Sequence, residues 1–322
     1  MKIGIIGAGG CFAQNFIRYL DSQHIESFGI GRSGPKLSPF WLLPRGYRFA
    51  EFHLVTQLPA VLAVLDTERP DVIVQFAAQG EGAASFGEHA PDFFQTNAVA
   101  LVKLVLALNN RDYMERFVQI GSSEVYGSPG QPAKETDLLN PSSPYSVSKA
   151  AFDMYLQSMW RTVGFPMNII RPSNCYTPGQ QLYRIIPKAI ICALTGQKLQ
   201  LHGGGRAEKS YLHATDLSRA ILLAVLNPAK GAIYNVGPDE AMTIRALVEC
   251  VASACEVNFE ELATEAPDRV GQDAKYHLDC AAIKRLGWRQ EIALADGVME
   301  MVDWVRKYPE VLKMETTYRH RA

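Results

Sequence analysis

No CxxC pair occurs among the six cysteines, Cys11, Cys175, Cys192, Cys250, Cys255 and Cys280, which are scattered along 322 residues. That spacing excludes a zinc ribbon or a thioredoxin-like redox motif and offers no disulfide framework, so the thiols read as small buried hydrophobes of a chain in a reducing compartment. Nor is one charge in surplus: 32 Lys+Arg face 33 Asp+Glu, with no long run of either sign. A chain that lives on nucleic-acid or anionic-membrane contacts carries a basic stripe, so neither partner is expected. No uninterrupted apolar run approaches the ~18 residues of a membrane span, and the densest, Ala220 to Leu226, is far shorter. The N-terminus runs straight into Lys2-Ile3-Gly4-Ile5-Ile6-Gly7, a strand and a glycine turn rather than a leader with its cleavage site. Internal repeats and low-complexity segments are absent too. A soluble, cytoplasmic protein is the expectation. What is present, 48% apolar and 20% charged residues, is ordinary globular composition with enough material for about two domains.

The first half alternates strand-like runs with helical periodicity. Lys2–Ile6 is a β-rich run, and Phe12, Phe16, Ile17 and Leu20 follow at helical spacing. Ser27–Gly31 is a second short strand. Leu58, Val61, Leu62 and Leu65 mark a helix closed by Arg69-Pro70. Asp71–Phe76 is an apolar run apart from Asp71 and Gln75, as befits a strand covered on both faces. A helix through Phe94, Ala98, Leu101, Val102 and Val105, a strand at Arg116–Ile120, a helix from about Pro144 and a strand at Met167–Ile170 complete the pattern. Such alternation implies an α/β chain with a doubly wound parallel sheet. After Asn174 the rhythm changes to Gly- and Pro-rich loops, the helices Ile185–Leu194 and Asp216–Leu226, and a strand at Ala232–Val236. Beyond these, Thr243 is a helix N-cap, Gly287 a stop, and Val298, Met301, Val302 and Val305 a final amphipathic stripe; the polar tail Glu315–Ala322 is expected to fray.

The turn after the first strand is Gly7-Ala8-Gly9-Gly10-Cys11-Phe12-Ala13. Glycines at 7 and 10 let the backbone turn sharply and approach a pyrophosphate, which the free N–H groups of the following helix attract; Ala13 permits close helix–strand packing. A glycine turn alone is a weak signal, but its place between strand and helix at the head of a βαβ unit points to a dinucleotide. The second strand ends in Gly31-Arg32-Ser33 with no carboxylate. An arginine fork and a hydroxyl suit a 2′-phosphate, so NADP is expected over NAD.

Two further segments carry chemistry: Gly121-Ser122-Ser123-Glu124-Val125-Tyr126-Gly127 at a strand end, and Pro144-Tyr145-Ser146-Val147-Ser148-Lys149 on a helix. Tyr145 and Lys149 are four apart and share one helix face. An ammonium beside a phenol lowers the phenol's pKa and makes it a usable general base, and Ser122 can hold a substrate oxygen in line with it. Glu124 adds a carboxylate. No His/Asp/Glu cluster has metal-ligand spacing, so no metal is expected; His202 and His213 are expected to be structural, and the four tryptophans to be core or interface residues.

In this order these segments resemble the extended short-chain dehydrogenase/reductase superfamily, in its nucleotide-sugar 4,6-dehydratase and epimerase branch. Further matches are Arg171-Pro172-Ser173-Asn174-Cys175-Tyr176-Thr177-Pro178, Arg184-Ile185-Ile186-Pro187, the His202–Gly205 loop with Lys209–Asp216, and Arg269–Tyr276. The resemblance implies a Rossmann sheet formed by residues 1–174 and 211–239, a smaller, mostly helical nucleotide-sugar domain formed by 175–210 and 240–312, and a tail from 313 to 322. It implies cofactor contacts from Cys11, Phe12, Ala77, Ala78 and Pro172 beside Gly7, Gly10, Arg32, Ser33, Tyr145 and Lys149. A nucleoside-diphosphate sugar would meet Asn174 and the residues about Ile186, with Lys209 and Arg269 on its phosphates. Helices near 92–110 and 144–162 would pair two subunits as a homodimer.

Sugar 4-epimerases, 4,6-dehydratases, decarboxylases and 4-keto reductases of this branch share Ser, Tyr and Lys and differ just after the serine. Glu124 and the Arg-x-Gly-x-Asp-x-x-Tyr segment at 269–276 resemble the dehydratases, which implies transient oxidation at C4, loss of water across C5–C6 and hydride return to C6. Ser123 stands where dehydratases of dTDP-glucose carry an aspartate acid, a pattern similar to the NADP-favouring GDP-mannose 4,6-dehydratases. Thr177 and Lys209 stand where the family has Gly and Arg. The alternatives are a 4-epimerase or 4-keto reductase on a nucleotide sugar, and a non-catalytic dinucleotide-binding protein.

Overall fold

The computed structural model describes residues 1–34, 39–44, 46–80, 82–267 and 277–320. Its first half follows the alternation: β1 (Lys2–Ile6), α1 (Cys11–Ser22), β2 (Glu26–Gly31), β3 (Phe49–Glu51), α2 (Leu58–Glu68), β4 (Val72–Gln75), α3 (Ala90–Phe94), α4 (Ala100–Leu108), β5 (Arg116–Ile120), α5 (Pro144–Val163) and β6 (Met167–Pro172). The second half adds β7 (Asn174–Tyr176), α6 (Ile185–Thr195), β8 (Leu199–His202), β9 (Glu208–Lys209), β10 (Tyr211–His213), α7 (Ala214–Leu226), β11 (Ile233–Val236), β12 (Met242–Thr243), α8 (Ile244–Cys255), α9 (Phe259–Leu262), β13 (Ala263–Ala266), α10 (Ala281–Arg285) and α11 (Leu294–Lys307).

Seven strands form one parallel sheet in the order β11-β6-β5-β4-β1-β2-β3. Order reverses at β1, with Ile3 facing Ser27 on one side and Val72 on the other; the crevice at that reversal, beyond the strands' C-terminal ends, is where open α/β sheets bind ligands. Side-chain alternation divides the strands between two cores. Ile3, Ile5, Val72, Val74 and Val118 enter one, with Phe16 and Ile17 of α1 and Ile221 of α7. Ile6, Ile73, Phe117 and Ile169 enter the other, with Val61 of α2, Leu101 and Leu104 of α4 and Phe152 of α5. A third core joins α6, α8 and α11 through Ile190, Leu247, Val251, Val298 and Met301. Three two-stranded pairs, β7 with β10, β8 with β13 and β9 with β12, stitch this half together.

The Rossmann-like sheet expected from the alternation is therefore present, with three departures. Strand β3 was not foreseen: three residues at the sheet's edge, none fully buried, leave no periodic signature. The helix expected through residues 94–105 is interrupted by a π turn at Gln95–Val99, and the extra residue turns Asn97 into the interior. By length and composition alone the stretch Ala90–Leu108 could cross a membrane, although no uninterrupted apolar run does. In the fold one side of it is buried through Phe93, Asn97, Leu101 and Leu104, while Phe94, Val99 and Leu106 stay exposed. The third departure is the tail, expected to fray. After a 3-10 turn at Pro309–Lys313 it lies along the protein as an irregular run, bent at Met314 and Thr317, whose alternate residues, Met314, Thr316, Tyr318 and His320, are partly buried.

Candidate active site

The glycine turn owes its shape to two close approaches. Gly7 has φ +83°, and a Cβ there would stand 2.4 Å from the Ala77 nitrogen; Gly9 would meet the Ser33 carbonyl at 2.9 Å. Gly7 donates to the Ile30 carbonyl and Gly10 to the Gly7 carbonyl. The turn thus wedges between the ends of β2 and β4, which puts Ser33, Ala77 and Ala78 around it. Gly10 precedes α1 in extended conformation, and no side chain caps the helix, so its first turn offers N–H groups and a positive dipole end to an anion. A dinucleotide pyrophosphate fits this cradle. Gly9 is a second position closed to a side chain, though less crowded than Gly7, while a Cβ on Gly10 would come no nearer than 3.4 Å to its neighbours. Cys11 and Phe12 begin that helix; the Cys11 thiol is pushed up to about 12 by burial and is unreactive.

Arg32 and Ser33 stand at the end of β2, with Arg32 exposed and close enough to His53 for its charge, after burial, to lower that imidazole's pKa. The sheet also brings a carboxylate that sequence proximity did not show. Glu51, at the end of β3, accepts the Gly34 N–H at 3.0 Å.

Tyr145 and Lys149 lie in the first turns of α5. Pro144 opens the helix, and Ser143 and Ser146 form a reciprocal capping box that fixes its start. The Tyr145 N–H donates to Ser85 Oγ at 3.0 Å, and its ring packs edge-on to Phe93 with centroids 6.4 Å apart. Lys149 is 3% exposed and donates to the Ile120 carbonyl at 2.7 Å. Burial lowers its pKa to about 8, against the pull of Asp153 one turn along. Asp153 is itself held at 2.9 Å by the Arg171 guanidinium, which also reaches Tyr126 Oη at 2.6 Å; Tyr126 in turn donates to Asn235. This buried chain ties α5 to β6 and β11 behind the site.

Ser122 ends the β5 segment and caps the short 3-10 turn Ser123–Tyr126: its Oγ accepts the Glu124 N–H at 3.2 Å. That bond uses one of the two Oγ lone pairs, and the Ser122 hydroxyl can still donate. A Cβ on Gly82 would lie 3.5 Å from Glu124 Oε2 and 3.7 Å from Ser143 Oγ. The Glu124 carboxylate therefore sits against the Gly82 loop, beside the start of the helix that carries Tyr145. Ser123 is buried and lines a narrow crevice with Tyr126, Ala133, His277 and Leu278.

Asn97, turned inward by the π turn, is the functional-site residue the sequence reading missed. Its Oδ1 accepts the Gln79 N–H at 2.8 Å, while Nδ2 donates to the Gln79 carbonyl at 2.9 Å and to Ser148 Oγ at 3.0 Å. It thereby locks the loop after Ala77-Ala78 to α5 one residue before Lys149. A single asparagine inside an apolar helical stripe was the available signal.

Of the residues assigned to a nucleotide sugar, Asn174 donates its N–H to the Ser210 carbonyl, which brings it beside Lys209. Lys209 is buried in β9 opposite Met242. Pro172 closes β6, next to the Ser173 N–H that bonds Val236. The Ile186 side chain is 2% exposed and belongs to the C-terminal core, which leaves its backbone to face a ligand. The cation at that helix start is Arg184, whose Nη2 lies 3.5 Å from a Cβ position on Gly80 and whose charge acts on Cys11. Arg269 falls outside the described residues. His213 caps α7 through its Nδ1, and His202 contacts the Pro267 carbonyl, both structural positions. Among the described residues one group, His89, Asp92 and His320, offers three metal-ligand atoms within 4.8 Å of one another. The two imidazoles are stacked, centroids 3.8 Å apart and planes 2° apart, so their in-plane lone pairs run side by side instead of converging on an ion.

The family model for the NAD dependent epimerase/dehydratase family matches residues 3–237. A dTDP-glucose 4,6-dehydratase from Streptomyces niveus is 34% identical over 238 residues, 73% of this chain and 70% of that protein. The crystal structure of dTDP-glucose 4,6-dehydratase from Bacillus anthracis in complex with NAD superposes with a TM-score of 0.85 at 27% identity, covering 96% of this chain and 98% of that one. A UDP-glucose 4-epimerase from Thermotoga maritima, solved with UDP-glucose, shares the fold with a TM-score of 0.87 at 23% identity, covering 96% and 100%. With that model matching residues 3–237, and with its glycine turn after β1, Ser122 after β5 and Tyr145 and Lys149 on α5, the chain belongs to the NAD dependent epimerase/dehydratase family.

Proposed function

We propose that the protein is a nucleotide-sugar 4,6-dehydratase. The observation that carries this reading is the Glu124 carboxylate, set beside the start of the Tyr145 helix where an epimerase has no use for a second base. A bound nicotinamide supplies a hydride acceptor that later returns the hydride. Tyr145, with the Lys149 ammonium beside it, takes the proton of the sugar's C4 hydroxyl, and Ser122 holds that oxygen. The resulting ketone acidifies C5–H, and Glu124 removes that proton. The protonated Glu124 then gives it to the departing C6 hydroxyl, a role for which Ser123, buried in its crevice, is not needed. In this reading residues 1–174 and 211–239 carry the dinucleotide and 175–210 with 240–312 the sugar nucleotide, where Asn174, Lys209, Arg269 and the backbone at Ile186 meet its diphosphate. The test is incubation with dTDP-glucose, UDP-glucose and GDP-mannose. A product lighter by one water and carrying a 4-ketone, with no net reduction of cofactor, is expected; a product of unchanged mass would identify an epimerase instead.

For the cofactor the reading is NADP, through Arg32 and Ser33, with NAD as the alternative favoured by Glu51, a carboxylate in reach of the same loop. A homodimer through α3, α4 and α5 is supported by the apolar residues left exposed there, Phe94, Val99, Leu106, Val147 and Met154. A cytoplasmic setting accords with six unpaired cysteines.

A further inference from the structure

The run after Lys313 starts in one half of the protein and ends on the other. Met314 packs against the core of α6, α8 and α11. Tyr318 packs edge-on to Tyr183, just before α6, with centroids 5.2 Å apart. His320 reaches α3: its Nε2 lies 2.8 Å from Asp92 Oδ2, and its ring stacks on His89 and lies 6.1 Å from Phe93, the same ring that packs against Tyr145. Glu315, Thr317 and Arg319 point outward, Glu315 and Arg319 as an exposed ion pair. Alternate residues therefore face the protein although the run is bent at Thr317, and its six residue steps reach at most roughly 20 Å.

The contacts at its far end are made with α3 and with the loop that follows β4. Asp92 can only accept, so His320 presents a proton on Nε2, and in the neutral ring its Nδ1 is then the acceptor. Gln79, 7% exposed, then donates its side-chain amide to His320 Nδ1 at 3.2 Å and to Tyr318 Oη at 3.3 Å. Gln79 stands two residues past Ala77 and is locked to α5 through Asn97, and the loop it begins faces Arg184. An imidazole nitrogen and a phenol oxygen therefore satisfy a buried amide at the mouth of the cleft, where a sugar hydroxyl could do the same.

We propose that residues 314–320 form an intramolecular strap that occupies the sugar end of the substrate cleft and lifts when a nucleotide sugar binds. The inference rests on the nucleotide-sugar reading of the site. A strap closed about ten times as often as open weakens apparent substrate binding about tenfold, because only the open fraction is competent. A nucleoside diphosphate without the sugar does not compete with it.

The experiment compares the full chain with a chain ending at Lys313, with Tyr318→Ala/His320→Ala, and with the outward-facing control Arg319→Ala. Affinities for dTDP-glucose, UDP-glucose, GDP-mannose and their bare diphosphates are measured calorimetrically, and hydrogen exchange of residues 314–320 is followed with and without each. Expected are sugar-nucleotide binding about tenfold tighter in the truncated and double variants, unchanged binding of the bare diphosphate and of Arg319→Ala, and faster exchange of the strap when the sugar nucleotide is present. Equal or weaker sugar-nucleotide binding by the truncated chain, or slower strap exchange on binding, overturns the strap while leaving the nucleotide-sugar reading in place. Failure of every chain to bind any of these sugar nucleotides overturns both.

Discussion

Replacing Lys149 by methionine is expected to stabilise the fold while destroying the activity. The ammonium is 3% exposed, and burial brings its pKa from 10.5 to about 8. That drop is a free-energy cost of about 3 kcal/mol for keeping the charged form inside the folded protein. Methionine has similar length and no charge, and Asp153 keeps its partner Arg171. The loss is the hydrogen bond to the Ile120 carbonyl, worth about 1 kcal/mol. A net gain of about 2 kcal/mol at pH 7 remains. The sign follows from linkage: the folded-state pKa lies below the unfolded one, so the cost is fully present below about pH 8 and fades as pH rises toward 10.5. Urea unfolding of both proteins at pH 7 and pH 9.5, together with turnover at pH 7, is the assay. The variant should be more stable by about 2 kcal/mol at pH 7, nearly equal to the parent at pH 9.5, and at least about a hundredfold slower. A variant less stable than its parent at pH 7, or one whose advantage is the same at both pH values, would refute the argument that this lysine is retained at the expense of stability.

The remaining expectations concern the same site. Glu124→Gln should still oxidise C4 but lose dehydration by at least about a hundredfold, seen as reduced nicotinamide building up on the enzyme with no loss of water from the sugar nucleotide. Turnover of the parent should decline above about pH 8, where Lys149 gives up its proton and Tyr145 loses the neighbouring charge; a rate that stays level through pH 9.5 would count against that role. Arg32→Glu should weaken NADP binding at least about tenfold while leaving NAD nearly unchanged, as measured by titration with each reduced cofactor. Leu106→Asp, on the exposed side of α4, should convert a dimer to monomers in sedimentation while the fold persists.

The sequence by itself determined the parallel sheet, the glycine turn and the Ser122, Tyr145 and Lys149 set. Those depend on local spacing: alternation of strands and helices, a turn that only glycine can make at Gly7, and two side chains four residues apart on one helix. Only the tertiary structure decided what stands around them. Asn97 became part of the site because a π turn rotated it inward, and no periodicity predicts one extra residue in a turn. Glu51 reached the loop after β2 because β3 lies next to β2, a pairing across some twenty residues of sequence. The Ile186 side chain went into the core of α6, and Arg184 took the position facing the loop at Gly80. The tail shows the difference most plainly: its polar composition promised solvent, whereas its fate was set by Gln79, Asp92 and Tyr183, partners more than a hundred residues away that no local pattern could reveal.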